Sequence, residues 1–384
     1  MAGRRTLPLL FVLWASLAHA QALNPSQVIY LDGGGQFEAR AYPVYTSPAT
    51  PYIMAGAGAN LQVFDMSGNE VANQPGTFDN FAVANAIPFG SETATLVATA
   101  SYELGTCGGT RCLRFFRWDP VGGFQPLNFM ATLVLESSAM TIDTSANPMV
   151  VYYTGLQSAS QPLYSQAISV GADGGVSFLT SNMRTVQTNT VGGLAAYPPS
   201  TLFLSADTQP LYSFPSDLTM AGGGVVNNQY NDLHGLFLVL TLPSGGSSLL
   251  AGDQTNEQVL FFNPDAGVYQ GGLSIDGGNR LVAPSGVAIT PDLQTLIVAE
   301  TYNPQIPAIA TNAAIYLVPF QGIPDGGNSV PDGGGGGGGP VIPAVPPGPG
   351  QAVPSTYSGC SSAGGGPLLL TFLVPVLLAR RRRR

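Results

Sequence analysis

Asp207, Asp253 and Glu300 each close a short apolar run, in LFLSAD, SLLAGD and TLIVAE. A carboxylate repeated at one register is a pattern that can ring a channel mouth with oxygen ligands, and oxygen donors suit a hard cation such as calcium. Calcium takes about six to eight oxygens, and three carboxylates supply only a few of them. The alternative is that each acid caps a turn or faces solvent at a strand end. His234 is the one histidine between the two termini. A histidine can act as a general base, or it can be a half-buried structural residue. No GxSxG elbow or Walker-type loop accompanies it. Cys107 and Cys112, in CGGTRC, read as a disulfide pinning a hairpin loop in an oxidising compartment. A zinc site of the usual four ligands cannot be assembled from the Cys and His of this body alone. Phe115, Phe116, Trp118 and Phe124 offer either a carbohydrate-stacking face or, by alternation along a strand, core.

The elements that must position these residues are short strands. The stretch 286–300, GVAITPDLQTLIVAE, reads as strand, tight Pro-Asp turn, strand. Near copies are 193–207, GLAAYPPSTLFLSAD, and 235–253, where the turn is longer. Looser copies occur at 52–55 (YIMA), 96–99 (LVAT) and 149–153 (MVVYY). A third strand follows most copies, at 61–64, 113–116, 163–168, 211–214, 260–262 and 315–318. Six meanders at a period of roughly 40–50 residues predict a closed repeat architecture. The expected fold is all-β, a six-bladed β-propeller whose innermost strands line a central channel. The pairs Asp32-Gly33-Gly34, Asp173-Gly174-Gly175 and Asp276-Gly277-Gly278 read as hairpin turns rather than phosphate loops, because no helix follows them.

Composition narrows the partners. The 384 residues are 45% hydrophobic and only 9% charged, with 49 glycines and 32 prolines, which favours strands and turns over helices. The formal net charge is −9 and there is no lysine. Five of the arginines are the last five residues, and the body keeps only Arg40, Arg111, Arg114, Arg117, Arg184 and Arg280. Such a body repels phosphate backbones, so nucleic acid is excluded as a partner.

Both ends read as sorting signals. Residues 1–20 carry Arg4 and Arg5, the apolar region 7–17 and the small-residue site Ala18-His19-Ala20, so cleavage is expected between Ala20 and Gln21. The propeller is expected over 23–320. Residues 321–358 are Gly- and Pro-rich and predict a linker without a fold. Residues 359–384 place Cys360 and small residues before a short apolar run and five arginines. That run, about 13 residues interrupted by Pro375, is too short for an ordinary membrane span.

The tail closely resembles the MYXO-CTERM tail of myxobacterial exported proteins. The resemblance implies cleavage near Cys360 by a dedicated membrane protease, display at the cell surface, and a possible lipid on Cys360. The body resembles the β-propeller phytases, a six-bladed, calcium-dependent family. That resemblance is clearest at 61–89, LQVFDMSGNEVANQPGTFDNFAVANAIPF, and extends to the hairpins quoted above. Asn80 matches the second Asn of the family's paired-Asn motif, and Asp79 replaces the first. The acidic and Arg positions that follow are Ala82 and Ala84 here, and the family's glutamate-containing strand starts carry Gly192 and His234. Asp207 falls on a family carboxylate position and Glu300 lies next to one. Without lysine, a phosphate grip would fall to Arg114, Arg117 or Arg280. The expectation is therefore an exported, surface-displayed, phytase-like propeller that binds or scaffolds at the envelope. Its partners would be the export machinery, the C-terminal sorting protease and a surface ligand. A calcium-dependent 3-phytase-type phosphomonoester hydrolase is the alternative, and a sugar- or peptide-binding propeller is a third reading.

Overall fold

The computed structural model describes residues 21–23 and 25–322, apart from 32–37, 103–106, 108–110, 132–136, 156–160, 187, 189, 219–223, 228–229, 231, 243–245, 276–282, 302–312 and 321. Residues 1–20, where a signal is expected, residues 323–384 with Cys360 and the terminal arginines, and Arg280 lie outside the described residues. The chain divides into a unit of Met1–Ser329 and a second of Val330–Arg384, and the second lies wholly outside them.

Two short strands, β1 (Gln21–Leu23) and β2 (Gln27–Tyr30), precede six meanders. The first blade is β3 (Arg40–Val44), β4 (Tyr52–Gly56), β5 (Asn60–Phe64) and β6 (Glu70–Pro75). The second is β7 (Phe78–Phe89), β8 (Glu92–Tyr102), β9 (Arg111–Asp119) and β10 (Gly123–Ala131). The third is β11 (Met140–Asp143), β12 (Met149–Thr154), β13 (Gln161–Val170) and β14 (Val176–Val186). The fourth is β15 (Val191–Tyr197), β16 (Thr201–Ala206), β17 (Leu211–Pro215) and β18 (Gly224–Asn227). The fifth is β19 (Leu233–Val239), β20 (Ser248–Asp253), β21 (Gln258–Phe262) and β22 (Tyr269–Ile275), with β1 added in parallel to β22. The sixth is β23 (Pro284–Ile289), β24 (Thr295–Glu300) and β25 (Ala314–Pro319), completed by β2.

The protein is a six-bladed β-propeller. Each innermost strand packs against the next around the ring, from β3 through β7, β11, β15, β19 and β23 back to β3. The ring is fastened by the N-terminal segment, because β2 pairs antiparallel with β25 and forms the outer strand of the last blade. That join ties residues about 290 positions apart, and it removes an open edge that would otherwise invite aggregation.

The core is six separate layers, one between each pair of neighbouring blades. Strand alternation explains how one run serves two layers. Phe115 faces the third blade with Met140 and Val151, whereas Phe116 faces the first with Met54 and Val63. Leu250 and Leu249 divide between the sixth and fourth blades in the same way. The middle strands are therefore buried on both faces and read as unbroken apolar runs rather than alternating ones.

Near the axis six backbones crowd together, and small residues admit that approach. A Cβ on Gly235, whose φ is +58°, would lie 2.5 Å from the Gly286 Cα on the next blade. The Pro-Asp turn of the sixth blade forms as the sequence predicts. The Leu293 N–H donates to Thr290 O at 2.9 Å, and the Thr290 hydroxyl donates to Asp292 at 2.6 Å. The Asp173-Gly174-Gly175 turn likewise closes a hairpin, with Gly174 N–H donating to Gly171 O at 2.9 Å. The other two DGG pairs lie outside the described residues.

Candidate functional site

In a meander the start of the first strand and the end of the second lie at the same end. Six blades therefore bring six strand starts together at one mouth of the channel. Here those starts bear Arg40, Asn80, Ser138, Gly192, His234 and Ser285, residues far apart in the chain.

Arg40 spans the mouth. Its guanidinium donates to Ser285 O of the sixth blade, to Gly192 O of the fourth at 2.8 Å, and more distantly to Ser138 O at 3.4 Å. It also pairs with the Glu38 carboxylate, and Arg40 is 2% exposed. A planar fork of five donors can serve carbonyls on several sides at once, which an ammonium cannot. Asn80 adds a link from the second blade to the third by donating to Ser138 O at 2.7 Å. The Ser285 hydroxyl donates to Ala39 O at 2.8 Å and links the sixth blade to the first.

Around this staple sits an acid–imidazole cluster. His234 Nδ1 lies 2.6 Å from Glu38 Oε1. On the other side of the ring, Nε2 lies 3.2 Å from Asp207 Oδ1 and 3.3 Å from Asp232 Oδ1. The imidazole is buried, whereas Asp207 and Asp232 keep 38% and 29% of their side chains accessible. Gly192 makes room for it, because a Cβ there would lie 2.8 Å from His234 Nδ1 and 2.6 Å from Leu233 O. Burial alone would raise the Glu38 carboxyl, but the His234 and Arg40 charges outweigh it and hold the acid down at about 2. Burial alone would lower the imidazole, but Glu38, Asp207 and Asp232 hold it well above its ordinary value of 6.5. These carboxylates favour the charged form of His234 and hold the ring between them.

The other acids singled out in the sequence are placed as follows. Asp207, Asp253 and Glu300 do not gather into one ligand set. Among the described residues, the carboxylate–imidazole group with metal-like spacing is Asp207, Asp232 and His234. Asp253 is fully buried and caps its own turn, accepting from Asn256 N at 3.0 Å and Asn256 Nδ2 at 2.7 Å. Glu300, also fully buried, accepts from Ala283 N at 3.1 Å and from the Tyr316 hydroxyl at 2.6 Å. Burial and then Glu300 raise the Tyr316 phenol, so it remains the donor. Asp253 and Glu300 are each turned into their own blade by local donors, whereas Asp207 lies beside His234 of the next blade.

Asp79 is buried beside Arg111, with Oδ2 2.6 Å from Nε. Arg111 is next to the disulfide, which joins Cys107 to Cys112 as expected. Of the arginines considered for phosphate, Arg114 lies over the Phe116 ring and Arg117 pairs with Glu92 and Asp119. Phe115, Phe116 and Trp118 are core, and Phe124 packs against the layer between the first two blades. The sequence reading missed Glu38, Arg40 and Asp232. A signal was present: Glu38-x-Arg40 and Asp232-x-His234 place the same two-residue spacing at the first-strand starts of two blades.

Residues of all six innermost strands line a central cavity of about 530 Å³. Its walls include Tyr42, Ala82, Ile142, Ala195, Leu238 and Ile289, and among the described residues no arginine lines it. Among the same residues its one lining carboxylate, Asp143, is capped by Ser145 N at 2.9 Å and the Ser145 hydroxyl at 2.6 Å.

No family model matches the chain, and no curated protein matches it by sequence. Among solved structures it is similar to the α-L-arabinofuranosidase Arb93A from Fusarium graminearum in complex with an iminosugar inhibitor. That match is 12% identical over 78% of this chain and 97% of that one, with a TM-score of 0.53. A protein of unknown function from Bacteroides caccae aligns at 9% identity over 67% and 85% of the two chains, TM-score 0.46. At 12% identity the first of these matches speaks for a shared fold alone.

Proposed function

We propose that this chain is an exported propeller, displayed at the cell surface on a Gly/Pro-rich stalk, that binds or scaffolds rather than catalyses. The observation that carries the reading is the use of Arg40. Transfer of a phosphoryl group requires cations aimed at the developing charge. The guanidinium at the channel mouth is instead committed to carbonyls of other blades and to Glu38. His234 is committed likewise, between three carboxylates. The phytase-like motif residues Asp79 and Asn80 also serve the scaffold, against Arg111 and Ser138 O. The cavity between the inner strands is the place for a neutral surface ligand, since its described lining offers hydroxyls and apolar walls and no arginine.

Export and display rest on the signal-like residues 1–20 and on the MYXO-CTERM-like tail with Cys360. Intact mass of surface-released protein tests that part. A chain starting at Gln21 and ending before Arg380 supports it, and a chain that retains Arg380–Arg384 contradicts it. The calcium-dependent phosphomonoester hydrolase is the reading to exclude, and it requires calcium-dependent phosphate release from inositol hexakisphosphate.

A further inference from the structure

The side of His234 facing away from Glu38 is arranged differently from a simple ion pair. At Nδ1 one acceptor stands at 2.6 Å, the length of a charge-assisted hydrogen bond. At Nε2 two carboxylate oxygens stand at 3.2 and 3.3 Å, longer than such a bond, and one N–H cannot point at both. Those lengths match a different geometry. A metal bonded to nitrogen and oxygen at about 2.0–2.2 Å in a tetrahedral site sets its ligands roughly 3.3–3.5 Å apart. We infer that His234 Nε2, Asp207 Oδ1 and Asp232 Oδ1 form a three-ligand site for a divalent transition metal of the zinc class, with the fourth position left to a water or another ligand.

Three further features fit this assignment. The imidazole is 4% exposed and Asp207 Oδ1 is itself buried, whereas the Asp207 and Asp232 side chains as a whole keep 38% and 29% of their surface accessible. Behind the ring, Glu38 Oε1 stands 2.6 Å from Nδ1, which leaves Nε2 as the metal-facing nitrogen, and the metal would displace the Nε2 proton on binding. A carboxylate behind a ligating histidine is a recurrent support for zinc. Asp232 is itself held, with its Oδ2 3.4 Å from the Thr255 hydroxyl and its carbonyl accepting from Gln254 N at 3.3 Å. The donor set also selects the ion: one imidazole and two carboxylates suit zinc, whereas calcium favours six to eight oxygens. The inference is independent of whether the propeller binds or hydrolyses its ligand.

The test is zinc uptake by the EDTA-treated, dialysed full-length protein, followed by equilibrium dialysis and thermal unfolding, with calcium as comparator. The expected result is one zinc per chain. It should raise Tm by roughly 5–10 °C at a zinc concentration about a hundredfold above Kd, and calcium should give no comparable shift. D207N and D232N keep the side-chain shape and should each weaken zinc at least about tenfold. E38Q should weaken it about 10–100-fold through the ring rather than by touching the metal. If E38Q disturbs folding through Arg40, the more peripheral D232N still decides. No uptake, equal stabilisation by calcium, or zinc binding unchanged in D207N and D232N overturns the inference. The last result would move the metal elsewhere, for example to the Cys360 thiol.

Discussion

Replacing Arg40 by methionine keeps much of the side-chain volume and removes every donor of its guanidinium. In the native protein this guanidinium serves Gly192 O at 2.8 Å, Ser285 O and the Glu38 carboxylate, in a side chain only 3% exposed. The 3.4 Å contact to Ser138 O is too long to count for much. Two buried carbonyls lose a charged donor, and leaving such an acceptor bare costs about 1–3 kcal/mol. Glu38 keeps His234 as a partner, so its loss is partial. The sum is about 3–5 kcal/mol, the range found when one member of a buried pair is removed. At roughly 2–4 °C per kcal/mol for a unit of this size, Tm should fall by about 6–20 °C. Thermal unfolding followed by Trp118 fluorescence reads this directly, since Trp118 is buried between the first two blades. Arg40→Lys retains the charge but not the fork, so it should restore only the Glu38 pairing and remain several degrees below wild type. A loss under about 1 kcal/mol for Arg40→Met would refute the view that this side chain fastens the ring.

Other outcomes follow from the same contacts. Gly192→Ala places a Cβ 2.6 Å from Leu233 O and 2.8 Å from His234 Nδ1 and should cost about 1–3 kcal/mol, read as a lowered urea midpoint. Tyr316→Phe removes the 2.6 Å donor to a fully buried Glu300 and should cost about 1.5–3 kcal/mol in the same assay. In metal-free protein the Glu38–His234 pair makes stability depend on pH. Glu38 is held at about 2 against an ordinary 4.5, so its contribution is complete above 4.5 and is lost as pH falls toward 2. His234 is held above 6.5, so its contribution is complete below 6.5 and is lost as pH rises through the higher folded value. Urea midpoints from pH 2 to 6 should therefore climb in wild type and climb less in Glu38→Gln.

The middle strands of the blades were legible because they are the most apolar. All six second strands and all six third strands appear in the sequence as short hydrophobic runs, since each is packed on both faces. The outer strands were not legible. β6, EVANQP, is largely exposed, and β18 is only four residues, so neither carries an apolar signal. The first strands of blades one to three also hid, because Arg40, Asp79, Asn80 and Asp143 interrupt their apolar pattern. Asp207 and His234 stood out as residue types, yet their partners did not. Glu38 and His234 are nearly two hundred residues apart and meet only when the ring closes. Asp253 and Glu300 looked equivalent to Asp207 by register, but nearby donors, Asn256 and Tyr316, turn them inward. Register identifies equivalent positions, and the local hydrogen-bond partners decide which of them reach the channel.

The most direct test of a binding rather than catalytic propeller is phosphate release from calcium phytate by the purified protein, with and without added calcium. The account predicts no release above the buffer blank in either condition, because Arg40 and His234 are committed to the scaffold. Calcium-dependent turnover that is abolished in Asp207→Asn would contradict it and would make the channel mouth an active site.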